Sequence, residues 1–133
     1  MESINYLAVL VSAIAVFGLG ALWYTPILFG NVWLKEVGMT QEDAEKGDVA
    51  KTFGLGFLFI FIMCLALAMF FRDSGYTVME GVRWGTYAGL GLMGATVGLN
   101  AMYERKSWTY IAINAGYVTI GMAMAGSILR AWV

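Results

Sequence analysis

"TFGLGFLFIFIMCLALAMFF", residues 52–71, is twenty residues long and carries no charge. A bilayer core about 30 Å thick takes roughly 20 helical residues to cross. Barrel strands alternate apolar and polar positions, and this run does not. Backbone polar groups inside lipid must be satisfied within the segment itself. The run therefore reads as a transmembrane helix.

Three other stretches repeat the pattern. They span residues 4–24, which hold no charge, 81–103, which carry Arg83 near the start, and 109–129. The expected fold is an all-α membrane protein with four transmembrane helices in a bundle. A bent or interfacial segment, residues 25–51, follows the first. No internal repeat or low-complexity linker interrupts the chain, so residues 1–133 are expected to form one domain. The first span resembles a secretory signal in its apolarity. Its leader "MESIN" has no Lys or Arg and its apolar run is longer than a signal core, so a retained span is expected.

Composition agrees. The chain is 60% hydrophobic and 13% charged, against about 25% charged for a soluble domain. A net charge of −1 gives no pull on nucleic acid. There is no histidine, so the commonest catalytic base and transition-metal ligand is missing. The single cysteine, Cys64, lies in an apolar run and reads as a small hydrophobe. No cofactor, metal or catalytic residue is expected.

Local signals mark the starts of helices. Thr40 with Asp43, and Thr77 with Glu80, read as capping boxes. Asp48 reads as the cap of the second span, and Gly47 as the end of the short acidic helix before it. In "ALWYTPILFGNVW", residues 21–33, the residue before Pro26 resists helical geometry, so span one should stop or bend near Tyr24. Thr25 is read as the cap and Pro26 as the first residue of a new interfacial helix, which Gly38 ends. Lys35, Lys46, Lys51, Arg105 and Lys106 fall in the first and third loops, while Arg72, Arg83 and Arg130 fall on the other side. Positive residues favour the cytoplasm, so both termini are expected outside the membrane.

Lipid tails are as apolar as leucine, so helices associate through close backbone approach or polar contacts. On span three, Gly81, Gly85 and Gly89 recur at steps of four, and Gly91, Gly94 and Gly98 follow on what α-helical spacing makes another face. On span four, Ala112, Gly116, Thr119, Ala123 and Ser127 form a stripe of small residues. Two small faces on one span exceed what one small bundle uses, which points to a homo-oligomer. Gly85, Gly89, Gly94, Gly98, Gly116 and Ala123 are the packing positions.

Alternate crossing brings the ends of spans one and three to the same leaflet as the start of span four. Asn100, Tyr103 and Glu104 share one helical face there, and Tyr110, Asn114 and Tyr117 share another. With Tyr24 and Asn31 from the first span, this gives a candidate polar pocket of Tyr24, Asn31, Asn100, Tyr103, Glu104, Asn114 and Tyr117. Asn114 lies about 7 Å into its span, where its amide wants a partner. Tyr24, Asn100 and Glu104 are at matching depth. The cluster reads either as a structural interhelical contact with an aromatic belt, or as a small pocket.

"GALWYTPILFG" and "NAMYERKSWTYIAINAGY", followed by a Gly/Met-rich helix ending in "ILRAW", resemble the bacterial membrane proteins catalogued as domain of unknown function 1761. The resemblance spans essentially the whole chain. It implies a small four-span membrane protein and supplies no activity. Its motifs fall on Trp23, Tyr24, Pro26, Phe29 and Gly30. They fall also on Asn100, Tyr103, Glu104 and on Asn114 to Tyr117. The family usually carries glycine where this chain has Arg105.

The expected function is a non-catalytic, self-associating bundle, with the lipid bilayer and an unidentified lipid or small-molecule ligand as partners. A small channel or carrier is one alternative, although the span centres hold no ionisable residue. A membrane-embedded enzyme acting on a lipid or hydrophobic substrate is the other. It would rely on Glu104, Arg105 and the tyrosines alone. The acidic first loop reads as a solvated connector.

Overall fold

In the computed structural model the described residues are 3–132. Met1, Glu2 and Val133, the ends of the expected domain, lie outside them. The described residues form helices and no strand. α1 is Tyr6–Trp23, α2 Gly30–Val37, α3 Gln41–Glu45 and α4 Val49–Phe71. α5, Val78–Tyr87, runs through π-helical turns at Ala88–Gly94 into α6, Ala95–Tyr103. α7 is Trp108–Ala131. Three helices, α1, α4 and α7, are long and apolar enough to cross a membrane.

The local start signals act as expected. Thr40–Asp43 and Thr77–Glu80 are reciprocal capping boxes, and the Asp48 side chain accepts the Lys51 N–H. Asn5 caps α1 by accepting the Ala8 N–H at 3.0 Å, and its amide donates to the Trp132 carbonyl at 3.0 Å. That pair joins the start of α1 to the end of α7.

α7 is the central helix. α1 packs on one side of it and α5 with the π-helical turns on the other, while α4 packs chiefly on α1. Ala8, Val9, Ala13 and Val16 of α1, Cys64 and Leu67 of α4, and Met122 and Ala125 of α7 form the buried core. Most large apolar side chains of α4 remain exposed, among them Phe53, Leu58, Phe59, Ile62 and Phe70. Such a surface suits lipid. Three threonine hydroxyls inside the helices bond back to their own backbone: Thr86 to Val82, Thr96 to Leu92 and Thr119 to Ala115. This satisfies polar groups that lipid would leave unpaired.

The contact between α5 and α7 is made by backbone. A Cβ built on Gly81 would lie 2.4 Å from the Gly126 carbonyl oxygen, and one on Gly85 would lie 2.2 Å from that of Met122. One on Gly89 would lie 2.7 Å from Thr119 Cα. Gly94 joins the same buried line: its Cβ would meet Gly89 O at 3.2 Å and Ala115 Cβ at 3.3 Å. This corrects the reading for Gly94, while Gly91 and Gly98 stay off the line. An α-helix at about 3.6 residues per turn sends positions five apart to different faces. The π-helical turns bond across five residues, as from the Ala95 N–H to the Leu90 carbonyl, and stack Gly94 over Gly89.

The start of α2 and its cap differ from expectation. α1 does end at Trp23, beside Pro26, but α2 starts at Gly30 rather than Pro26. Thr25 is no cap: its hydroxyl donates to the Leu22 carbonyl at 2.7 Å, which also accepts the Thr25 N–H at 3.2 Å. The Thr25 carbonyl instead accepts from Leu28 and Gly30, closing a turn over residues 24–29. Gly30 fits because a Cβ there would sit 2.4 Å from the Tyr24 oxygen. Gly38, in left-handed geometry with φ 72°, ends α2 as expected.

Candidate functional site

Three hydrogen bonds stitch the end of α1 to α7. Trp23 Nε1 donates to the Ile113 carbonyl at 2.9 Å, and the Tyr117 hydroxyl donates to the Val16 carbonyl at 2.9 Å. The Tyr24 hydroxyl donates to Asn114 Oδ1 at 2.5 Å. Of the three partners considered for Asn114, the structure gives it Tyr24. Small residues admit the rings: a Cβ on Gly20 would strike the Tyr117 hydroxyl at 2.8 Å, and one on Gly116 would meet the Trp23 ring at 3.1 Å.

The bend after α1 folds aromatics around this junction. The Tyr24 ring meets Tyr117 edge-on at 5.6 Å and Trp33 of α2 at 5.4 Å, and Trp23 lies 4.8 Å from Phe29. Ser107, the N-cap of α7, accepts the Tyr110 N–H and donates to the Glu36 carboxylate, which ties α2 to the start of α7.

Between α6 and α7 lies a cavity of about 230 Å³. Tyr24, Asn100, Glu104, Asn114 and Tyr117 line it, together with Tyr110. Val97, Ala101 and Val118 complete its apolar wall. Two predicted members are elsewhere. Asn31 is exposed on α2, and Tyr103 is 83% exposed. Tyr103 shares a helical face with Asn100 only approximately, and the last turn of α6 turns its ring outward. Asn31 was placed by its leaflet alone, and on α2, which begins at Gly30, it is exposed and away from the lining.

Of the packing positions, Gly85, Gly89, Gly94 and Ala123 lie in the α5–α7 contact, with Ala123 Cα 3.3 Å from a Cβ on Gly85. Gly116 faces Trp23 on α1. Gly98 is nearly open, with only Ile111 at 3.8 Å.

α6 ends in a Schellman turn. The Lys106 N–H reaches back to the Ala101 carbonyl at 2.8 Å, and Arg105 takes the left-handed position at φ 59°. This is the position where the resembled family usually has glycine. A side chain there costs about 1 kcal/mol. Arg105→Gly is expected to raise thermal stability by about that amount. A lower unfolding midpoint for the variant would show that the arginine makes a compensating contact.

The opposite end of the molecule holds a feature that sequence reasoning missed. Arg130, counted above only as a topology charge, is buried at 9% exposure. Its Nε donates to the Tyr76 carbonyl at 2.9 Å and its Nη1 to the Phe71 carbonyl at 3.2 Å. The only sequence hint was the arginine within the motif "ILRAW".

A match to the family model described as "Protein of unknown function (DUF1761)" covers residues 7–130. The chain belongs to this family. No curated protein and no solved structure matches it. Its chemistry must be read from the cavity. Among the described residues no three His, Cys, Asp or Glu gather as a metal site. The DUF1761 chain offers there two carboxamides, three phenol groups and one carboxylate on an apolar wall.

Proposed function

We propose that this DUF1761 protein is a four-crossing membrane bundle whose polar cavity holds a small ligand or a lipid headgroup, without catalysing a reaction. The fourth crossing is the run α5–π–α6, continuous from Val78 to Tyr103. The carrying observation is the cavity itself: Glu104, Asn100 and Asn114 line one space beside the Tyr24–Asn114 bond. Drug-sized pockets run about 300–1,000 Å³, so 230 Å³ suits a smaller group. The test is a structure determined with native lipid and metabolites retained. Density beside Asn114 and Glu104 is expected, and a dry, closed contact would reduce the cluster to a helix clamp.

Both termini lie outside in this reading, so the cavity faces the cytoplasm of a bacterial inner membrane. A reporter fused after the last residue and active in the cytoplasm would reverse it. Self-association belongs to the faces left open, at Gly91, which meets nothing within 4 Å, and at Gly98. Gly98→Leu is expected to lower the mass seen by native mass spectrometry, and an unchanged mass counts against that seam.

A further inference from the structure

Three features of the cavity narrow what it takes. Glu104, an exposed residue, is among those lining the cavity and makes no ion pair or side-chain hydrogen bond with the described residues. Tyr24, Tyr110 and Tyr117 line the same cavity, and the ring of Tyr110 already carries a cation: Lys106 Nζ stands 5.7 Å from its centroid. Asn114 has its carboxamide oxygen occupied by the Tyr24 hydroxyl, while its NH₂ has no acceptor among the described residues. A carboxylate beside tyrosine faces recognises an ammonium group. A free amide NH₂ recognises an acceptor oxygen. Arg105 and Lys106 are adjacent in sequence but are not among the lining residues, so Glu104 is the charged residue of the lining.

We infer that the cavity binds an amino-alcohol ammonium group, with Glu104 and the tyrosine rings holding the cation and Asn114 donating to the neighbouring oxygen. This rests on the cavity being a ligand site. The group belongs either to a free amine or to a lipid headgroup of the same chemistry. Lys106 is a built-in competitor for the Tyr110 ring.

The test uses the full chain in nanodiscs of phosphatidylglycerol alone, or mixed with phosphatidylethanolamine. Choline and its neutral isostere 3,3-dimethylbutan-1-ol are titrated by calorimetry. In phosphatidylglycerol discs choline is expected to bind and the isostere to bind about tenfold more weakly or not at all. Glu104→Gln is expected to weaken choline about tenfold, and Lys106→Met to tighten it severalfold. Weaker choline binding in the mixed discs assigns the site to a lipid headgroup. Equal binding in both assigns it to a free amine. Isostere binding equal to choline overturns the ammonium assignment while keeping a ligand site. No choline binding in phosphatidylglycerol discs, or an unchanged affinity in both variants, overturns it outright.

Discussion

Gly85→Ala is expected to destabilise the protein by about 3 kcal/mol. The added methyl would lie 2.2 Å from the Met122 carbonyl oxygen, 3.0 Å from its carbon and 3.3 Å from Ala123 Cα. All three are backbone atoms, so no side chain can rotate away. The helices must separate, and separation spreads along the line to Gly81 and Gly126, where a Cβ on Gly126 would already be 2.0 Å from the Gly81 oxygen. Gly91→Ala is the control. Nothing lies within 4 Å of its Cβ position, so it should be neutral or stabilise by up to about 1 kcal/mol through helix propensity. Unfolding in mixed detergent micelles reads both. Equal midpoints for the two variants would mean that α5 and α7 are less closely packed than described. The substitution probes the inside of one chain. Gly85 was read as a packing position, and its contact with Met122 sets that packing within one chain.

Arg130→Met should cost about 2–3 kcal/mol. Methionine keeps much of the apolar stem and loses the donors. The carbonyls of Phe71 and Tyr76 then lose their bonds at 3.2 Å and 2.9 Å. Phe71 is the last residue of α4, whose terminal carbonyls have no partner within the helix. A cation at a helix C-terminus also meets its dipole favourably. Arg130→Lys is expected to recover only part of the loss, because one ammonium cannot reproduce the planar fork across two carbonyls. Thermal unfolding of the three proteins orders them Arg, Lys, Met. A lysine variant as stable as the parent would leave charge alone, rather than the fork, as the stabilising element.

Much of this was legible in the residues. Helix starts depend on groups three positions apart, so Thr40–Asp43, Thr77–Glu80 and Asp48 could be read directly. The break after Trp23 follows from the steric demand of Pro26 on the residue before it. Five lining residues of the cavity were reachable because alternate crossing fixes which helix ends meet. Asn31 and Tyr103 were not excluded, because depth along a helix says nothing about rotation around it.

Composition and the lengths of its apolar runs determine by themselves that this chain is helical and suited to a membrane. These are local properties, since each residue's polarity and each backbone bond is settled within a few positions. Tertiary structure alone decided which faces meet. It turned Gly94 onto the line of Gly81, Gly85 and Gly89 through the π-helical turns, and buried Arg130 against α4. It also chose Tyr24 as the partner of Asn114. Those outcomes depend on helical phase and on distances between segments 50 to 90 residues apart, where a small change of winding redirects every side chain beyond it.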